Sequence, residues 1–389
     1  MSNQVNRRNF LKLSATAGAA LALVPTGIHA KETDIKKKMP TRTLGKTGIE
    51  VPILSMGVMR ADNPAIVRAA YNSGIIHFDT ANGYQNGKNE EMLGEFFADK
   101  PRDSFILATK VREPQSDKAA AGFLEKFETS MKRLKMSYVD ILYIHDPAPS
   151  GTAEGVNYAP LVELVMKLKK DGRTKYIGVS THSNEPTVIN ALVDNGNYDV
   201  VLTSYNYTQT YRTELNAAIE RASKAGIGVV AMKTMVGGFL DRERTQKVNT
   251  RAALKWSLQN PYVHTAIPGF TSFAELEESL DTVSNLTLTE DEKKYLSLAQ
   301  PSMYCQGCRI CEGQCSKRLP IPEMMRAYMY NYGYGSPLLA KELIDELALT
   351  GNLCSDCTSC AVKCLAGFQV AQKVKDISRL RNVPQDFLA

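Results

Sequence analysis

The sequence predicts an α/β protein: a (β/α)8 TIM barrel followed by a smaller domain that holds all the cysteines. Three observations carry this. Short β-branched or apolar runs alternate with stretches of helical spacing from residue 40 to 300, the pair recurs eight times, and all eight cysteines lie after residue 304. Such barrels typically take roughly 250 residues. Near-continuous apolar strands suit a parallel sheet covered on its outside. A doubly wound open sheet is weaker, because no Gly-x-Gly-x-x-Gly follows the first run.

Composition narrows the class. At 43% hydrophobic and 23% charged residues, the 389-residue chain is globular, neither disordered nor fibrous. No apolar run reaches the roughly 18–20 residues of a membrane span. Net charge is +6, of which Arg7, Arg8 and Lys12 supply three, leaving 6 − 3 = +3 for the rest. That surplus is too small to point to nucleic acid.

Residues 1–30 read as a leader. Arg7-Arg8 precede Phe10-Leu11-Lys12, a weakly apolar stretch runs from Leu13 to Val24, and no acid occurs before Glu32. This resembles a twin-arginine export signal, with the periplasm as its destination. Cleavage after Ala30 is expected, although Ile28 stands where a small residue is preferred. Residues 31–39, with Lys36-Lys37-Lys38, read as a solvated linker.

The barrel is expected over 40–300. Arg42 to Val51 looks like a hairpin around a Gly-containing turn, placed to plug the bottom. The strands expected are Ile53–Met56, Ile75–Asp79, Phe105–Lys110, Val139–His145, Lys175–Ser180, Val200–Ser204, Gly228–Met232 and Thr265–Ile267. Amphipathic helices are expected over 118–134, 158–171, 212–225 and 273–284, with Gly172 and Gly226 as stops.

Barrel enzymes carry their chemistry at the C-terminal strand ends. Here strand two ends at Asp79, with Tyr84 in the next loop, strand three at Lys110 and strand four at His145. Neighbouring strands lie about 4.8 Å apart, so these side chains converge. The logic is proton donation to a carbonyl oxygen. A free phenol titrates near ~10, too high for an efficient donor at neutral pH. The Lys110 ammonium is expected to lower the Tyr84 value, Asp79 to hold Lys110 charged, and His145 to orient the substrate oxygen. A hydride must then come from a nicotinamide. His77 and His264 read as core residues, and His182 as a residue of the mouth or the surface.

These pieces resemble the aldo/keto reductase family. Arg42-Thr43-Leu44-Gly45, Phe78-Asp79-Thr80-Ala81-x-x-Tyr84, Thr109-Lys110, Leu142-Tyr143-Ile144-His145, Gly178-Val179-Ser180 and Ile267-Pro268-Gly269 occur in the family's order. The resemblance implies that Asp79, Tyr84, Lys110 and His145 form the catalytic tetrad, with Tyr84 as general acid and NADPH as the usual reductant. It implies cofactor contacts at Gly57, Met59, Ser180, Met232, Gly237, Gly238, Gly269 and Glu278. Thr181 and Leu202 depart from the family's Asn and Gln, and Met232 replaces an aromatic residue. Glu275 stands where an arginine would meet the 2′-phosphate, so NADH becomes an alternative to NADPH.

The cysteines read Cys305-x2-Cys308-x2-Cys311-x3-Cys315 and Cys354-x2-Cys357-x2-Cys360-x3-Cys364. This is the bacterial ferredoxin run, present twice, in which the fourth cysteine serves the other cluster. It assigns Cys305, Cys308, Cys311 and Cys364 to one [4Fe–4S] cluster and Cys354, Cys357, Cys360 and Cys315 to a second. Residues 301–389 are therefore expected to form a helical, ferredoxin-like two-cluster domain. Ser316 and Leu365 replace the usual proline after each run. Disulfides and zinc are the weaker readings, because the tight triple run suits a cubane better. Ser336-Pro337 starts a helix as cap and first residue, and Tyr328, Tyr330, Tyr332 and Tyr334 before it read as packing.

The expected function is an exported oxidoreductase. It transfers hydride between a nicotinamide and a small carbonyl or alcohol, coupled through the clusters to a possible redox partner protein. The alternative is an electron-transfer module whose barrel is a non-catalytic docking or sensing platform.

Overall fold

The computed structural model describes residues 39–240, 245–298, 304–351, 353–355 and 357–388. The expected leader and the linker lysines lie outside them. β1 (Thr41–Thr43) pairs antiparallel with β2 (Glu50–Pro52). At the hairpin tip Leu44 is fully buried and the Lys46 N–H donates to the Gly226 carbonyl at 2.7 Å. Gly45 has φ +52°, and a Cβ there would stand 2.4 Å from the same carbonyl, so the turn needs glycine. Gly226 lies just before a barrel strand, so the hairpin closes the bottom as expected.

The barrel follows in chain order. Its elements are β3 (Met56–Gly57), α1 (Pro64–Asn72), β4 (His77–Asp79), α2 (Lys88–Phe97), β5 (Ile106–Val111) and α3 (Ala119–Leu134). Then come β6 (Val139–His145), α4 (Ala153–Val156), α5 (Ala159–Lys170), β7 (Thr174–Thr181), α6 (Glu185–Asn195), β8 (Val200–Ser204) and α7 (Arg212–Lys224). The last are β9 (Gly228–Met232), α8 (Thr250–Gln259), β10 (Thr265–Ala266) and α9 (Phe273–Ser284), with α10 (Glu290–Ser297) appended. β3 to β10 form one eight-stranded sheet, each strand parallel to the next.

The first barrel strand differs from the expectation. Met56–Gly57 pairs with β4, whereas the apolar run before it turns to the last strand. Leu54 bridges Ala266, Ser55 N–H donates to the Ala266 carbonyl at 2.8 Å, and Ala266 N–H donates to the Ile53 carbonyl at 3.0 Å. That run therefore brings the sheet's two edges together.

Two apolar layers hold the barrel. Leu44, Ile106, Ile141, Tyr143, Leu202 and Val230 cluster in its interior. Phe78, Phe97, Phe123, Phe127 and Leu134 belong to a larger cluster that joins strands and helices. In α3, Phe123, Phe127 and Met131 recur every four residues and are buried, so the helix shows one stripe to the sheet. Lys132 and Arg133 stand in its last turn, facing the carbonyl end of the helix dipole.

The C-terminal segment has its own core. α11 (Ile321–Tyr328) runs into a π turn at Met329–Gly333, followed by α12 (Pro337–Glu346) and α13 (Val370–Ser378). Ile321, Met324, Met325, Ile344, Val374 and Ile377 pack among them. Pro337 opens α12 as expected, but Ser336 makes no side-chain cap bond. The segment packs with the barrel as one compact unit. Tyr211 donates to the Gln306 carbonyl at 2.5 Å, and the Asn184 N–H donates to the Gly307 carbonyl at 2.8 Å. No helix among the described residues is long and apolar enough to cross a membrane.

Candidate functional site

Three strand ends bring the expected tetrad together. Lys110, at the end of β5, donates to Asp79 Oδ1 at 2.5 Å and to the Thr80 carbonyl at 2.6 Å. Both partners are essentially buried, at 1% and 3% side-chain exposure, so neither charge is diluted by solvent. Burial pushes the Asp79 carboxyl up and the Lys110 ammonium down, and each partner's charge opposes the other's shift. Lys110 Nζ stands 4.8 Å from the Tyr84 ring centroid. The Tyr84 ring meets the His145 ring edge-on at 6.1 Å. Gln85 clamps the Tyr84 loop by donating to the Met59 carbonyl at 3.0 Å and the Ala61 carbonyl at 3.3 Å.

The Tyr84 pKa runs opposite to the expectation. Burial raises the phenol above its ordinary value, and the Asp79 charge raises it further. The reason is geometric. The ammonium lies near the ring and spends its charge on Asp79, so the phenolate gains little from it. Tyr84 thus keeps its proton at neutral pH. His145 is pushed well below its ordinary value by burial first, then by the charges of Lys110, Arg112 and Arg326, and is neutral. Its Nε2 stands 3.4 Å from Nε2 of His182, so His182 lies at the mouth.

A cavity of about 760 Å³ opens over these residues, within the range of small-molecule sites. Asp79, Tyr84 and His145 border it, as do Gly57, Met59, Met232, Gly237, Gly238, Gly269 and Glu278. Lys110 stands behind Asp79. Ser180 does not border the cavity; it is fully buried, and its Oγ accepts the Asp146 N–H at 3.3 Å. Thr181 donates to the Ser183 carbonyl at 3.0 Å, and Leu202 is in the barrel core. Gly237 and Gly238 have φ +86° and +85°, and a Cβ on Gly238 would meet nothing within 4 Å, leaving backbone open to a ligand. Glu275 and Glu278 border the cavity, with Arg251 3.6 Å from Glu278.

The C-terminal segment supplies the roof, which the strand-end reading missed. Arg326, Tyr330, Tyr334, Leu339 and Leu343 all border the cavity. Arg326 donates to Asp146 Oδ2 at 2.5 Å across 180 residues of sequence. Lys233, just past β9, lies 5.5 Å from the Tyr330 ring and 5.9 Å from the Tyr334 ring. Burial and the Arg326 charge push its ammonium down to about 8. Tyr330 and Tyr334 therefore pack on the barrel mouth. His77 and His264 are buried in the fold, the latter accepting the Val229 N–H at 2.9 Å.

The cysteines fall into two neighbourhoods. The charges that act on the Cys305 thiol are those of Cys308, Cys311 and Cys364; those that act on Cys354 include Cys315, Cys357 and Cys360. Gly307 N–H donates to Cys305 Sγ at 3.3 Å. Burial pushes the Cys305 thiol up to about 12, while Cys357 and Cys360 are exposed. Among the described residues, no group of three or more His, Cys, Asp or Glu is arranged to hold a metal ion.

Residues 53–252 match the model of the aldo/keto reductase family, just over half of the chain. The chain belongs to the aldo/keto reductase family. It is an NAD(P)H-dependent oxidoreductase. It is 27% identical over 300 residues to an L-galactose dehydrogenase of Arabidopsis thaliana, covering 67% of this chain and 93% of the relative. It is 24% identical over 318 residues to an L-glyceraldehyde 3-phosphate reductase of Escherichia coli strain K12, covering 66% and 90%. An aldo-keto reductase structure from Bacillus halodurans, in its holo form, superposes with a TM-score of 0.56 at 24% identity, covering 68% of this chain and 98% of that one. Residues 4–24 match a twin-arginine translocation signal. The family match ends before the first cysteine.

Proposed function

We propose that this aldo/keto reductase, exported to the periplasm by the twin-arginine route, reduces a small carbonyl compound or oxidises the matching alcohol. In this reading Tyr84, His145, Lys110 and Asp79 are the catalytic tetrad. The observation that carries it is the convergence of Tyr84 and His145 on one cavity, with the buried Lys110–Asp79 pair behind them. A substrate oxygen would accept hydrogen bonds from the Tyr84 hydroxyl and the neutral His145 ring. Tyr84 keeps its proton until negative charge develops on that oxygen, then gives it up. Lys110, bonded to Asp79 and to the Thr80 carbonyl, offsets the Asp79 charge that would otherwise oppose loss of the Tyr84 proton.

A bound nicotinamide would supply the hydride to the carbonyl carbon. Gly57, Met59, Met232, Gly237, Gly238 and Gly269 are the residues that would hold it, and the open backbone at Gly238 fits such a ligand. Glu275 and Glu278 disfavour a 2′-phosphate, so NADH is a candidate beside NADPH, the family's usual cofactor. Ser180 stands outside this set.

The same proposal includes two [4Fe–4S] clusters, one held by Cys305, Cys308, Cys311 and Cys364 and the other by Cys354, Cys357, Cys360 and Cys315. The grouping of thiols described above supports them, and the lack of a tight single-ion set is compatible with ligands spread around a cubane. Such clusters would supply single-electron transfer to or from a redox partner protein. The exposed Cys357 and Cys360 put the second set at the surface, where a partner could reach it.

The test is Tyr84→Phe in the iron-loaded chain. Carbonyl reduction falls roughly 10²–10⁴-fold while the cluster absorption is unchanged. Wild-type turnover by the variant removes the tetrad and favours the module reading. Adding NADH and NADPH separately under anaerobic conditions, while following cluster spectra, tests whether the two sites are linked.

A further inference from the structure

We propose that the cavity recognises an anionic group of its substrate, a carboxylate carried by the carbonyl compound, through Arg326 with Lys233 beside it. The inference deepens the reductase reading and rests on it. Arg326 is 7% exposed and borders the cavity. Its Nη1 is used by Asp146, but its Nε and Nη2 are buried and have no hydrogen-bond partner among the described residues. Those two nitrogens form one edge of the guanidinium, the fork that matches a carboxylate with two parallel hydrogen bonds. Two unsatisfied charged donors in a buried site are costly, and a ligand that meets both removes the cost.

The groups next to the fork favour an anion, although Glu113, Glu342 and Glu346 border the same cavity. Asp146 spends Oδ2 on Arg326 and accepts from Ser150 Oγ at 2.7 Å through Oδ1. Lys233 makes no ion pair among the described residues, although the Glu185 and Asp146 charges act on it, and its ammonium lies 5.5 and 5.9 Å from the Tyr330 and Tyr334 rings. His182 borders the same wall next to His145. The position favours substrate over nucleotide. Arg326 meets the ring at Asp146, just past β6, whereas Gly57 and Gly269 mark β3 and β10 on the opposite side; Lys233, next to Met232 at the end of β9, stands nearer the nucleotide residues. The anion is thereby held near His145 and Tyr84, on the side where a carbonyl would be reduced.

The experiment compares matched probes on the iron-loaded full chain. Succinic semialdehyde carries a carboxylate and butanal does not. We expect wild-type kcat/KM to favour succinic semialdehyde by more than about tenfold, and Arg326→Lys, which keeps a cation opposite Asp146 but loses the fork, to cut that preference about 100-fold through KM. Equal kcat/KM for the two aldehydes in the wild type overturns the proposal. So does a variant whose affinity for NADPH or NADH falls while the aldehyde preference stays, since the fork then serves the pyrophosphate. An altered cluster spectrum with the preference intact also overturns it, because Arg326 then balances cluster charge. A second readout needs neither a variant nor turnover: butyrate should raise the Tm of the wild type and butyramide should not. Absence of that shift rejects the anion site even in a protein that reduces both aldehydes. Its presence in a protein that reduces neither keeps the site and rejects the reductase reading.

Discussion

The barrel and the C-terminal segment are built on different terms. The barrel closes on itself: parallel strands, two apolar layers and side-chain helix caps such as Ser272 and Thr289 leave little for a ligand to stabilise. Among the described residues the C-terminal segment has three short α-helices around a small core, and the cysteines stand in irregular chain, one run before α11 and the other between α12 and α13. The difference teaches where each region's order comes from. One is held by burial of its own side chains; the other has a smaller core and rests on the barrel, and in the proposed reading the clusters would add to its order.

The largest expected effect tests that directly. Preparing the chain without iron should leave barrel circular dichroism and cooperative melting in place, while residues 304–388 become the first target of limited proteolysis. Uniform resistance along the chain would break the comparison. Next, Lys110→Met leaves the Asp79 carboxyl buried without its partner. The cost is about 3–5 kcal/mol of barrel stability, read as a lower denaturant midpoint, together with loss of turnover.

A smaller effect lies in the pH profile. Burial lowers the His77 imidazole from 6.5 to about 4. A depressed histidine holds its proton less well in the folded chain than in the unfolded one, so its contribution is full above pH 6.5 and is lost as the pH falls toward 4. Each unit of that shift is worth about 1.4 kcal/mol. His77→Gln should therefore flatten the decline of Tm over this window, and a parallel decline would reject the assignment. Smallest is a matched pair of caps. Thr289 forms a full capping box with Glu292, whereas Ser336 makes no cap bond. Thr289→Ala should cost about 1 kcal/mol, and Ser336→Ala less than about 0.5 kcal/mol, by chemical denaturation.

The sequence was most legible where chemistry follows from local spacing. Val139–His145, Val200–Ser204 and Gly228–Met232 stand where their apolar runs placed them, and Asp79, Lys110 and His145 fall at strand ends because the barrel puts every strand end on one face. The first strand was misplaced because an apolar run does not say which neighbour it bonds, and Ile53 to Ser55 bond the last strand. The direction of the Tyr84 shift was misjudged because charge counting ignored desolvation and the prior claim of Asp79 on the ammonium. Arg326 was not legible at all. Its partner Asp146 lies 180 residues away, and α11 alone gives no sign that its single arginine faces a barrel mouth. Lys233 was missed for a similar reason, since a lysine after a strand usually reaches solvent and here two tyrosines cover it.

The Asp146–Arg326 pair has a consequence for how such a chain can diversify. A barrel that loses the appended segment exchanges its ceiling for open water and keeps a bare aspartate at the rim. Transplanting the cysteine-bearing segment onto another barrel would bring a stray arginine over a foreign pocket. The pair thus ties the rim of the barrel to a stretch of chain that lies outside the ring of strands, and if Arg326 reads the substrate as proposed, a change in either region alters the pocket.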